Sequence, residues 1–143
     1  PISNSLFAKN RKNFVENMID NSIAFFNSND CYPVSADTTL PFEQHRDLFY
    51  LSGINQEETV LLVYKNNDSN YEEILFLTKP NDLLTHWEGE RLNEEKAYSI
   101  SGIKTVYWLE QLDIIVKKIM QNVKVLYLNK NEHYRAKVET ETN

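Results

Sequence analysis

Glycine is scarce. The 143 residues include only three, Gly53, Gly89 and Gly102, and none lies near another. That spacing excludes a dinucleotide-binding GxGxxG fingerprint and a P-loop. Cysteine is scarcer still: Cys31 stands alone, so neither an internal disulfide nor a cysteine-rich zinc site can form. A reducing, cytoplasmic setting is the expectation. His45, His86 and His133 sit in separate segments without HxxxH or HExxH spacing, which argues against a histidine zinc site. Positive charge is short as well. The balance of 15 Lys+Arg against 21 Asp+Glu gives a net charge of −6, and no basic stripe is available to displace counterions from nucleic acid. No apolar run approaches the roughly 20 residues that span a bilayer, so no membrane partner is expected. Pro1 to Phe7 has no basic n-region followed by an apolar stretch, so no signal peptide is expected. The lack of an initiator Met suggests a processed or truncated chain.

What is present suits one globular domain. The chain is 41% hydrophobic, 12% aromatic and 25% charged. Leu6, Phe7, Phe14, Val15, Met18 and Ile19 recur at helical spacing, with Lys9, Arg11, Lys12 and Glu16 opposite, so a helix is predicted over Ser5 to Asp20. Ser22 to Asn27 reads as a strand buried on both faces. Residues 31–46, with two prolines and no period, read as a structured loop with a short strand at Tyr32 to Val34. Asp47 to Ser52 reads as a strand ending at Gly53. Thr59 to Lys65 and Glu72 to Thr78 form a hairpin. A short helix over 82–87 follows, then one or two helical turns capped by Asn93 and closed at Gly102. A strand at Lys104 to Tyr107, a helix from Trp108 to Gln121 and a strand from Val123 to Leu128 complete the domain. Ala136 to Asn143 reads as a polar tail or linker. This order predicts an α/β layered domain, a mixed sheet of about five or six strands with helices on its faces.

Little here carries chemistry unaided. The acidic pairs Glu57-Glu58, Glu72-Glu73 and Glu94-Glu95 read as solvated faces and helix starts. No GxSxG elbow exists, and nothing places a histidine beside Cys31. Two segments invite more. Ser35-Ala36-Asp37 precedes Pro41-Phe42 and an aromatic run that ends at Gly53. Asp37 could make an Asx-turn while the aromatics fill the core, or it could serve a site. Trp87-Glu88-Gly89-Glu90-Arg91 joins a flat indole to a planar guanidinium. Either Trp87 packs down with Gly89 as a left-handed helix cap, or the cluster recognises a ligand.

Taken together and in order, Arg11-Lys12, Ser35-Ala36-Asp37, Pro41-Phe42, Gln44, Asp47, Phe49-Tyr50-Leu51-Ser52-Gly53 and Trp87-x-Gly89-x-Arg91 resemble the N-terminal domain of aminopeptidase P. These are the Xaa-Pro aminopeptidases of the creatinase/prolidase superfamily, and the likeness spans about residues 5–130. Three positions depart from the family pattern: Glu43 stands where arginine is usual, Leu48 adds bulk beside Phe49, and Asn93 replaces a glycine.

The resemblance implies a creatinase N-terminal domain-like fold with a ribonuclease H-like motif over residues 1–135, and a tail or linker over 136–143. It implies that catalysis belongs to a separate C-terminal domain holding two divalent metals, usually manganese, with no cofactor in this chain. Such metals lower the pKa of bound water and polarise the carbonyl before proline. The implied partners are that catalytic domain, neighbouring subunits and a peptide with proline in second position. Trp87 would line the pocket for the substrate's N-terminal residues, and Asp37 would sit near its free amino group or at the cleft rim. Arg91 and Tyr50 would hold the Trp87 loop and the sheet. Two other readings keep the fold: a stand-alone interaction module, or the N-terminal domain of a creatinase or prolidase.

Overall fold

The computed structural model describes residues 3–28, 40–67, 70–78 and 92–121. Helix α1 (Asn4–Glu16) begins where the Ser3 side chain accepts the Ser5 amide, filling one of the free donors at a helix start. It ends short of the expected Asp20, because the Asn17 and Met18 amides fold back onto the Phe14 and Val15 carbonyls. Strand β1 (Ser22–Asn27) is buried throughout, as its apolar run predicts.

The next two elements correct the sequence reading. Within the expected loop lies a strand, β2 (Phe42–His45), which pairs parallel to β1. The expected strand at Asp47–Ser52 is a helix instead, α2 (Leu48–Ser52). Helical spacing buries Leu48, Leu51 and Ser52 and leaves Phe49 and Tyr50 exposed, a division that strand alternation could not make.

Strands β3 (Val60–Asn67) and β4 (Asn70–Leu77) form the expected antiparallel hairpin. Helix α3 (Glu94–Ser101) starts at Asn93, whose Oδ1 accepts the Lys96 amide at 2.9 Å. Its eight residues make about two turns, and Gly102 closes it, as expected. Strand β5 (Thr105–Trp108) leads into a 3-10 turn and a helix over 112–121, labelled α4. The expected strands at 32–34 and 123–128, the helix at 82–87 and the tail at 136–143 lie outside the described residues.

The sheet order is β2-β1-β3-β4-β5, with parallel pairs at both ends and antiparallel pairs between. It is a mixed five-strand sheet flanked by helices, as expected. Alternation along each strand divides the core. Ala24, Phe26, Leu61, Val63, Leu75 and Leu77 face α1, α2 and α3. Ile23, Phe25, Leu62, Ile74 and Phe76 face α4 through Leu112, Val116 and Ile119.

A four-residue pattern repeats at two helix ends. Leu51-Ser52-Gly53-Ile54 closes α2 and Ile100-Ser101-Gly102-Ile103 closes α3. In each, the serine hydroxyl donates to the carbonyl four residues back at 2.6 Å and accepts the amide two residues on. Each glycine is left-handed, φ 72° at Gly53 and 78° at Gly102, and its amide closes onto the carbonyl of Phe49 or Tyr98.

Arg11 joins these two ends. The amphipathic pattern places it with the solvent-facing lysines, yet it is 1% exposed. Its Nη1 donates at 2.8 Å to both the Leu51 and Ser101 carbonyls, and its Nε donates to Glu73 on β4. A guanidinium has enough donors to satisfy all three, and a cation suits the negative ends of two helices.

Candidate functional site

The carboxyl ends of β1, β2, β4 and β5 lie along one end of the sheet, together with the start of β3. Asn27 stands opposite Val60, Val60 opposite Phe76, and Leu77 opposite Trp108. The chain therefore enters 29–39, which carries Asp37, and 79–91, which carries Trp87, from the same end of the sheet. Asp37, Trp87 and Arg91 themselves lie outside the described residues.

The connection from Gly53 to Thr59 ties this end together. Ser28 exchanges two bonds with Thr59: its amide donates to the Thr59 carbonyl at 3.0 Å, and its Oγ accepts the Thr59 amide at 3.1 Å. Thr78 Oγ1 donates to the Glu58 carboxylate at 3.1 Å. The Gln56 Oε1 accepts the Leu92 amide at 2.9 Å. One connection thus holds the last described residue before 29–39, the last before 79–91 and the first after it. Glu58 adopts φ 53° to do so, a left-handed backbone uncommon for a side chain of its size.

Within this arc lies a cavity of ≈ 420 Å³, lined by Asn27, Arg46, Phe49, Ile54, Asn55 and Gln56 among others. Asn27 is fully buried, and its Nδ2 donates to the Ser28 carbonyl at 3.0 Å. Gln56 Nε2 is buried with no acceptor among the described residues. Amides, one guanidinium and an aromatic edge suit the recognition of polar, peptide-like groups.

The remaining named residues fall elsewhere. Tyr50, expected to hold the sheet, is on α2 and 62% exposed; its carbonyl, not its ring, is engaged, accepting Asn10 Nδ2 at 3.0 Å. Glu43, on β2, is exposed and 3.0 Å from His45 Nε2. The His45 ring stacks on Phe26 with centroids 5.1 Å apart. Arg11 is the residue whose importance the spacing concealed; its place in the family pattern was the one signal that marked it. Among the described residues no group of three or more His, Cys, Asp or Glu stands close enough to hold a metal ion. Among the same residues, no helix is long and apolar enough to cross a membrane.

Comparison with known proteins agrees with this geometry. The family model for the aminopeptidase P N-terminal domain matches residues 7–127. The Xaa-Pro aminopeptidase of Escherichia coli is 28% identical over 138 residues, covering 96% of this chain and 31% of that protein. The Haemophilus influenzae Xaa-Pro aminopeptidase is 33% identical over 91 residues, covering 64% of this chain and 21% of the relative. The chain thus spans less than a third of the length of these relatives. Among solved structures, a Bacillus anthracis protein described as a candidate aminopeptidase P superposes with a TM-score of 0.69 at 28% identity, covering 87% of this chain and 29% of that one. A single-residue variant of E. coli aminopeptidase P superposes with a TM-score of 0.63 at 28% identity, covering 82% and 27%. A match running through nearly every described element, on a sheet of the same architecture, places this chain in the aminopeptidase P N-terminal domain family.

Proposed function

We propose that this chain serves as the non-catalytic N-terminal domain of a dimetal Xaa-Pro aminopeptidase, the parent enzyme removing the residue that precedes proline. In this reading residues 1–135 form the domain and 136–143 begin the linker to a catalytic domain, in a cytoplasmic protein. The domain walls the substrate cleft with the carboxyl end of its sheet and helps assemble neighbouring subunits. The observation that supports it best is that the chain both enters and leaves 79–91, which carries Trp87, at the carboxyl end of the sheet, whereas 29–39, which carries Asp37, starts there and rejoins the described residues at the other end, ahead of β2. The single connection over 53–59 braces that end at Ser28, Thr78 and Leu92. There Trp87 would offer a stacking face to the substrate's N-terminal residues, and the Asp37 carboxylate would pair with its ammonium.

Two measurements test this. The chain incubated with manganese and an Xaa-Pro peptide should give no cleavage, and clear turnover would reject the division of labour. Trp87→Ala should leave the melting temperature of this chain nearly unchanged while raising KM in the parent enzyme. A loss of about 3–5 kcal/mol in the chain itself would mark a core tryptophan instead.

A further inference from the structure

The geometry points to the outer edge of β2 as a subunit contact, on which β2 of a second copy of this chain pairs antiparallel about a two-fold axis through Gln44. This sharpens the assembly part of the proposed function, on which it rests, and leaves the cleft part aside.

The backbone supplies the first half of the argument. The Ile23 amide donates to the Pro41 carbonyl at 3.1 Å, with Ile23 in register opposite Phe42. Pro41 therefore faces β1. Main-chain groups of successive strand residues point to opposite sides, so Glu43 and His45 also face β1 while Phe42 and Gln44 turn theirs outward. Among the described residues β2 ends the sheet, and no hydrogen bond takes up the outward groups of Phe42 or Gln44. An open edge of this kind is a template for another strand. Four residues make a weak ladder, so side chains must select the partner and the register.

They supply the second half. Around Gln44 the sequence Phe42-Glu43-Gln44-His45-Arg46 complements itself. Antiparallel pairing centred there sets Glu43 against His45 of the other copy, twice, and Phe42 against Arg46. Glu43 and His45 already meet at 3.0 Å within one chain, so the pairing completes an alternating ring of two carboxylates and two imidazoles on the side of α1. On the opposite side the Phe42 ring, 44% exposed, adds apolar area to the contact. The facing agrees with the chemistry. Gln44 with Gln44 makes the doubly hydrogen-bonded pair. Glu43 with His45 makes the non-hydrogen-bonded pair, whose side chains come closest. Centring on Glu43 opposes two carboxylates, centring on His45 opposes Glu43 to Asp47, and centring on Phe42 pairs no opposite charges at all. Opposed like charges destabilise a strand pair, so charge selects Gln44 as the centre.

Analytical ultracentrifugation of the 143-residue chain across a concentration series is the test. The wild type should show a monomer–dimer equilibrium. Gln44→Pro removes an outward main-chain amide, which an edge strand tolerates, together with the long Gln44 Nε2 bond to Asn27 Oδ1 at 3.5 Å, and should be monomeric where the wild type is dimeric. Glu43→Lys, at an exposed position, should weaken the dimer at least tenfold, and it decides the matter alone if Gln44→Pro fails to fold. A dimer lost to Gln44→Pro but indifferent to Glu43→Lys overturns the register. A dimer unchanged in both variants overturns the β2 contact while leaving assembly standing. A wild type that stays monomeric throughout overturns both.

Discussion

The ends of α2 and α3 are built alike and surrounded differently. Both use a serine that bonds backward and forward and a left-handed glycine, and Arg11 grips both. Around them the neighbours diverge. A Cβ added at Gly53 would stand 2.4 Å from the Phe7 ring, whereas one at Gly102 would have nothing nearer than Arg11 Nη2 at 3.6 Å. One glycine is required by backbone and packing together, the other by backbone alone. The lesson is that a local motif sets the turn, while the surrounding packing sets how much a change there costs.

The largest expected effect comes from removing what the two ends share. Arg11→Met should cost about 3–5 kcal/mol in urea denaturation, because it strands a carboxylate and two helix-end carbonyls at once. A loss under 1 kcal/mol would mean that the two ends are held without the clamp.

Next come the glycines themselves. Gly102→Ala should cost about 1–2 kcal/mol, the ordinary cost of a left-handed side chain. Gly53→Ala should cost more, by about 1–3 kcal/mol for displacing the Phe7 ring. Equal losses would erase the distinction drawn between the sites.

The smallest effect is electrostatic. The Tyr71 phenol is held above its ordinary value by burial first and then by the Glu73 and Glu16 carboxylates, with Arg11 pulling the other way. Arg11→Met should therefore move its titration still higher, as read by ultraviolet difference spectroscopy at alkaline pH. Because the folded state keeps this phenol protonated, its contribution to stability is whole below about pH 10 and is lost as pH climbs through the raised value. Tyr71→Phe should flatten that loss.

The same two helix ends measure how much was legible in the sequence. The glycine after Ile100-Ser101 reads from the sequence as the helix stop it is, because a good cap at Asn93 and helix-forming residues precede it. The glycine after Leu51-Ser52 reads from the sequence as a strand stop, though it closes a helix. Leu48-Phe49-Tyr50-Leu51 is rich in residues that suit a pleated surface, and a five-residue helix is too short for its period to emerge. β1, the hairpin and the apolar face of α4 were legible because burial on a sheet leaves dense apolar runs. β2 was not, since an edge strand with three exposed residues offers no alternation. Arg11 misled for a related reason: its period places it with Lys9 and Lys12, and only tertiary partners explain its burial. Asp37 and Trp87 came from the family likeness and not from the physics of their neighbours.

The Arg11 clamp also has a consequence in time. Its guanidinium lies early in the chain, while its carbonyl acceptors are 40 and 90 residues further on. Joining such distant parts costs loop entropy that only the finished fold repays. During synthesis the Arg11 guanidinium therefore stays in water until residue 101 has been made; a chain released before that point cannot close this clamp.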